Sequence, residues 1–82
     1  MSVRDTVKQF VTQNFYVSDP GALGDETSLI AEGYVDSTGM LEVIAFLEHE
    51  FGVRVSDEET TPENLETIGR IAAFVERKRA AA

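Results

Sequence analysis

Asp36-Ser37 is the place in the chain best equipped for chemistry: a hydroxyl beside a carboxylate, where an amphipathic segment begins. The everyday use of such a pair is helix capping, in which one side-chain oxygen accepts a hydrogen bond from a free backbone N–H. A helix start also offers unsatisfied N–H groups and a partial positive charge, which favour a phosphate on a nearby hydroxyl. A phosphodiester on Ser37 is therefore compatible with the helix, at the mouth of a loop where a modifying enzyme could reach it. Rival chemistries fall away. His49 is the sole histidine, and twelve positions along one helix put it on the order of 18 Å from Ser37, too far for a serine–histidine catalytic pair. The absence of Cys rules out disulfides, a thiol nucleophile and a thiolate metal site. The stretch from Asp19 to Glu26 lacks the alternating oxygen ligands of a calcium loop, and no Gly-rich phosphate loop follows a strand. No catalytic residue and no resident metal are expected.

The elements that must position this pair fit into one small domain spanning residues 1–82, with 43% hydrophobic residues to build a core. The formal charge is −8, which excludes the basic footprint of a nucleic acid binder. It is unevenly spread: four Asp and nine Glu lie between Asp19 and Glu66 against the single Arg54, a net −12, while the two ends carry +4. Such an acidic middle attracts basic partners at long range, in a salt-dependent way. No run approaches the roughly 18 apolar residues of a membrane span. The start, Met1-Ser2-Val3-Arg4-Asp5, lacks a signal peptide's apolar segment. A cytoplasmic, monomeric chain that presents or carries something is expected, not a self-sufficient enzyme.

Val3, Val7, Phe10 and Val11 share one face of a first helix, with Ser2 as N-cap and an end near Asn14 to Tyr16. A long connection follows from Ser18 to Val35; Leu23, Leu29, Ile30, Tyr34 and Val35 should pin it across the core. The strongest helical pattern is Met40, Ile44, Leu47 and Phe51, widened by Leu41, Val43 and Phe46, with Glu42, Glu48, His49 and Glu50 turned away and Gly52 as the stop. Val53-Arg54-Val55 alternates like a strand but has no partner, so it reads as an extended connector. Ser56-Asp57-Glu58-Glu59 suits a short turn, and Thr61-Pro62-Glu63 opens a short helix anchored by Leu65. Thr67 caps a last helix with Ile68, Ile71, Ala72, Phe74 and Val75 inward and Arg77, Lys78 and Arg79 in its final turn. The ordered chain should span about residues 3–78, with 79–82 frayed. The fold class is all-α: a small four-helix bundle, three longer helices and one short, with a long first loop.

Asp36-Ser37, followed by Met40-Leu41-Glu42-Val43-Ile44 and Leu47-Glu48-His49-Glu50-Phe51-Gly52, resembles the acyl carrier protein family. The resemblance extends upstream to Ser28-Leu29 and Gly33 and downstream through Val53 to Asp57-Glu58-Glu59 and the last helix. It implies a four-helix bundle with 4′-phosphopantetheine on Ser37, transferred from coenzyme A by a phosphopantetheinyl transferase. Asp36 would help place Mg²⁺ in that reaction. Cargo would ride as a thioester on the arm's thiol, in fatty acid, polyketide or related lipid metabolism. Thr38, Met40, Leu41, Glu42 and Glu48 become candidates for docking onto acyl or aminoacyl ligases and synthase or transferase enzymes with basic patches. Two positions depart from the family pattern: Thr38 replaces the usual Leu after the serine, and Gly39 replaces a commonly acidic residue. Gly39 and His49 motivate an alternative, an aminoacyl carrier loaded by a separate adenylating ligase. A third reading is an unmodified acidic helical adaptor in which Ser37 is only a cap.

Overall fold

Ser2 starts the first helix: its Oγ accepts a hydrogen bond from the Asp5 amide at 3.1 Å, satisfying one of the donors that a helix start leaves free. In this computed structural model, which describes residues 2–17 and 19–81, that helix is α1, Val3–Asn14. Val3, Val7 and Val11 are buried, as their spacing predicts. Phe15 then leaves in an extended conformation, φ −128° and ψ 156°.

Three more helices follow: α2 (Ser37–Phe51), α3 (Pro62–Leu65) and α4 (Ile68–Ala81). No strand occurs among the described residues, so Val53–Val55 is the extended connector expected, with Val53 buried. α4 packs against α1, α2 and α3. One apolar cluster runs through all four helices and the first loop, with Leu29, Leu47, Ile68, Ile71 and Phe74 wholly or almost wholly enclosed.

The long first loop is pinned rather than loose. Its expected start, Ser18, lies outside the described residues; beyond it the chain makes a short 3₁₀ turn, Pro20–Ala22, and a turn ending at Gly33, whose φ of 77° suits glycine. Leu23, Leu29 and Val35 enter the core. The Leu29 amide donates to the Glu66 carbonyl and the Gly69 amide to the Asp25 carbonyl, both at 2.9 Å, so the loop is stapled to the α3–α4 junction. Ile30, expected as another anchor, is instead 47% exposed, because the turn that sends Leu29 inward carries its neighbour out.

α2 stops at Gly52, in the left-handed conformation at φ 67°, whose amide closes onto the Glu48 carbonyl. Its buried face is narrower than the sequence suggests: Gly39, Met40, Val43 and Leu47 are covered, whereas Ile44, Phe46 and Phe51 are half-buried. Leu41, expected to widen the stripe, is 65% exposed; one position after Met40 it is rotated about 100° off the core face. The half-buried aromatics form a continuous seam between α1 and α2. Phe10 stacks on Phe46 with ring centroids 4.1 Å apart, and Phe15 and Phe51 meet the two ends of that pair edge-on at 6.1 Å.

Between α2 and α3, Ser56 and Glu59 form a reciprocal capping box on a 3₁₀ turn, Asp57–Glu59. Thr67 Oγ1 accepts from the Arg70 amide and caps α4 as expected. α4 continues to Ala81, past the point where the terminal alanines were expected to loosen. Alanine is the strongest helix former, and Arg79 lies over the Phe51 ring, 5.9 Å from its centroid. Ala82 lies outside the described residues. Among the described residues no helix is long and apolar enough to cross a membrane.

Candidate functional site

Of the pair at the start of α2, Asp36 takes the capping role. Its Oδ1 accepts the Gly39 amide at 2.6 Å, and its carbonyl accepts the Met40 amide at 2.8 Å. Ser37 is therefore the first residue inside the helix, exposed, and its hydroxyl makes no hydrogen bond among the described residues. The Ser37 and Thr38 amides likewise find no acceptor there, so the positive end of α2 is left open beside a free hydroxyl. This arrangement suits a phosphodiester: its charge would meet unsatisfied donors, and its attachment would break no cap.

Ser37 also stands on the wall of an open groove of about 520 Å³. Met40 from α2, Ile30 and Ala31 from the first loop, and Pro62 and Leu65 from α3 supply its apolar surface, with Thr60, Thr61 and Glu66 among its polar groups. A flexible arm leaving Ser37 would have apolar surface to lie against. The residue identities alone did not reveal whether such a space would open; it depends on the short α3 lying across from the start of α2.

The remaining predicted site residues divide. Thr38, Leu41 and Glu42 are exposed near Ser37 and available to a partner. Met40 is buried and reaches the surface only as part of the groove. Glu48 is exposed, but its Oε2 accepts the Val55 amide at 3.0 Å, so its carboxylate also ties the connector back onto α2. Among the described residues no three His, Asp or Glu side chains converge as a metal ligand set.

Sequence reasoning missed the importance of Phe15. A Cβ placed on Gly39 would lie 2.7 Å from Phe15 Cε1, 3.1 Å from Asp36 Oδ1 and 3.2 Å from Val35 Cγ1. The unusual glycine therefore has an internal cause: it makes room for the Phe15 ring against the first turn of α2. The aromatic was visible in the sequence, but its pairing with a glycine 24 positions later was not.

Comparison with known proteins agrees with this geometry. Residues 5–75 match the family described as "Phosphopantetheine attachment site". The chain is 35% identical over 79 residues to an acyl carrier protein of Thermosynechococcus vestitus, covering 96% of this chain and 94% of that one. It is 30% identical over 78 residues to an acyl carrier protein of Bdellovibrio bacteriovorus, covering 95% and 96%. Among solved structures it resembles the holo acyl carrier protein of Nitrosomonas europaea, with a TM-score of 0.69 and 28% identity over 95% of this chain and 92% of that one. A chain in a crystal structure titled as an FAD-dependent dehydrogenase also matches, with a TM-score of 0.74 and 25% identity, covering 84% of this chain and 97% of that one. By its fold, its near full-length match and its family signature, the chain belongs to the acyl carrier protein family: it is a carrier, not an enzyme, and its cofactor is covalently bound 4′-phosphopantetheine.

Proposed function

We propose that Ser37 is the attachment point of the phosphopantetheine arm and that the chain delivers acyl thioesters to enzymes of fatty acid, polyketide or related biosynthesis. The observation that carries this reading is the division of roles at the start of α2. Asp36 caps the helix, and nothing in the fold employs the Ser37 hydroxyl. A serine kept exposed and unengaged at a positive helix end is suited to accept a phosphoryl group. A phosphopantetheinyl transferase would supply that group from coenzyme A, with Asp36 beside the acceptor to help place Mg²⁺ during transfer. The exposed Glu42 and the acidic loop residues suit partners with basic docking patches.

The acyl reading is preferred over the aminoacyl alternative because Gly39, one of the two residues behind that alternative, is accounted for by the packing of Phe15. The adaptor reading needed Ser37 as the cap, a role that Asp36 fills.

Intact mass after incubation with coenzyme A, Mg²⁺ and a broad-specificity phosphopantetheinyl transferase tests the assignment. The expected result is one added phosphopantetheine on the wild type and none on Ser37→Ala. An unmodified wild type, under conditions that convert a control carrier, or addition that survives Ser37→Ala, rejects it. Loading the holo protein with separate fatty acyl and aminoacyl ligases then distinguishes the cargo classes.

A further inference from the structure

Three large apolar side chains stand exposed: Tyr16 at 85%, Leu41 at 65% and Ile30 at 47%. They come from three separate segments, yet all gather around the start of α2. Leu41 lies four residues after Ser37, one turn along the helix. Ile30 lines the same groove as Ser37. Tyr16 arrives by way of Phe15, whose ring rests against Gly39, two residues after Ser37. Phe15 is extended, and in an extended chain successive side chains point to opposite sides. Seating Phe15 inward therefore turns Tyr16 outward, at the edge of the first turn of α2.

Isolated exposed apolar residues are ordinary, but several around one reactive group, bordered by charge, mark an interaction surface. That border is present here: Asp19, Glu32 and Glu42 are exposed and follow Tyr16, Ile30 and Leu41 within three residues. Resting on the Ser37 assignment above, we propose that Tyr16, Ile30 and Leu41 form a three-point apolar docking surface for the phosphopantetheinyl transferase. The transferase would present an apolar patch fringed by Lys or Arg. An enzyme that brings coenzyme A to Ser37 must cover the ground around that hydroxyl, and this apolar ground is continuous with it. Thr38 offers only a polar side chain beside the serine, so Tyr16 and Ile30 supply apolar contact from outside α2. In this arrangement Gly39 acts indirectly, by admitting the Phe15 ring that holds Tyr16 in place.

Steady-state modification by a broad-specificity phosphopantetheinyl transferase, with coenzyme A and Mg²⁺ and followed by intact mass, tests the surface. Tyr16→Ser and Ile30→Ser should each raise KM for the carrier about three- to tenfold with kcat little changed, the signature of lost docking. Tyr16→Phe, which keeps the apolar ring, and Ala73→Ser, on the exposed side of α4, should behave as wild type. Circular dichroism should show the same fold throughout. A wild-type KM for both serine variants, with Ser37 still modified, overturns the docking surface and leaves the Ser37 assignment standing. Failure to modify the wild type removes both. A concentration-dependent dimer of the wild type that Tyr16→Ser dissolves, with KM unchanged, assigns the patch to a second copy of the chain and also overturns the proposal.

Discussion

Gly39 shows how a single missing methyl group can shape the neighbourhood of a modification site. Helix propensity favours alanine over glycine by up to about 1 kcal/mol, so Gly39→Ala should help an isolated helix. In the folded chain the added methyl would meet Phe15, Asp36 and Val35 at 2.7–3.2 Å. Overpacking of this kind costs about 1–3 kcal/mol, enough to reverse the sign. Gly39→Ala is therefore expected to lower the urea midpoint, and Phe15→Leu in the same chain should recover part of the loss. A simple additive loss in the double variant would show that the ring is not what the methyl strikes. The Asp36-Ser37 pair could be recognised from the sequence, but which member caps could not, because both side chains can accept the same amide. Backbone geometry decides it by placing Asp36 just outside the helix and Ser37 just inside.

At the scale of elements, the short α3 borders the Ser37 groove, and polar contacts tie its surroundings to α4. Lys78 Nζ reaches both Glu59 carboxylate oxygens at 2.9 and 3.0 Å, Asn64 Nδ2 donates to the Glu59 carbonyl, and Arg77 donates to Asn64 Oδ1 at 2.8 Å. The Ser56 amide, with Lys78 beside it, holds the Glu59 carboxyl below its ordinary value of 4.5. A depressed carboxyl contributes stability that is fully present above the unfolded value and is lost as pH falls through the folded one. The difference in unfolding free energy between wild type and Glu59→Gln should therefore be constant above pH 4.5 and shrink below it. A difference that stays flat through the acid range would remove Glu59 from this role. The helices themselves were legible because Ser2, Gly52, Thr67 and the valine spacing of α1 are local signals. Ile30 and Leu41 were misplaced because hydrophobicity alone favours burial, and only the turn at Leu29 and the rotation of α2 decide which of two adjacent apolar residues faces in. The Ser37 groove was not legible, since its walls come from segments far apart in sequence.

Across the whole molecule, charge and reactive group are arranged along α2. The helix is about 22 Å long by its rise, with Ser37 at one end and Phe51 at the other, where Arg79 lies over the ring. A partner with a basic patch would be drawn to the acidic middle of the chain and repelled by the basic tip of α4, favouring approach by the Ser37 end. KM for the transferase should accordingly rise as salt increases from about 0.05 M to about 0.5 M, because added ions shorten the reach of exposed charges. A KM that does not change with salt would leave docking to apolar contact alone. The separation of capping from attachment has a practical corollary as well. Synthetic coenzyme A derivatives bearing a dye, spin probe or affinity tag could install that reporter at residue 37 without costing the bundle its Asp36 cap. Because the polypeptide holds no cysteine, the sulfur of a natural arm would also be its single site for maleimide labelling, a ready way to tether the protein to a surface.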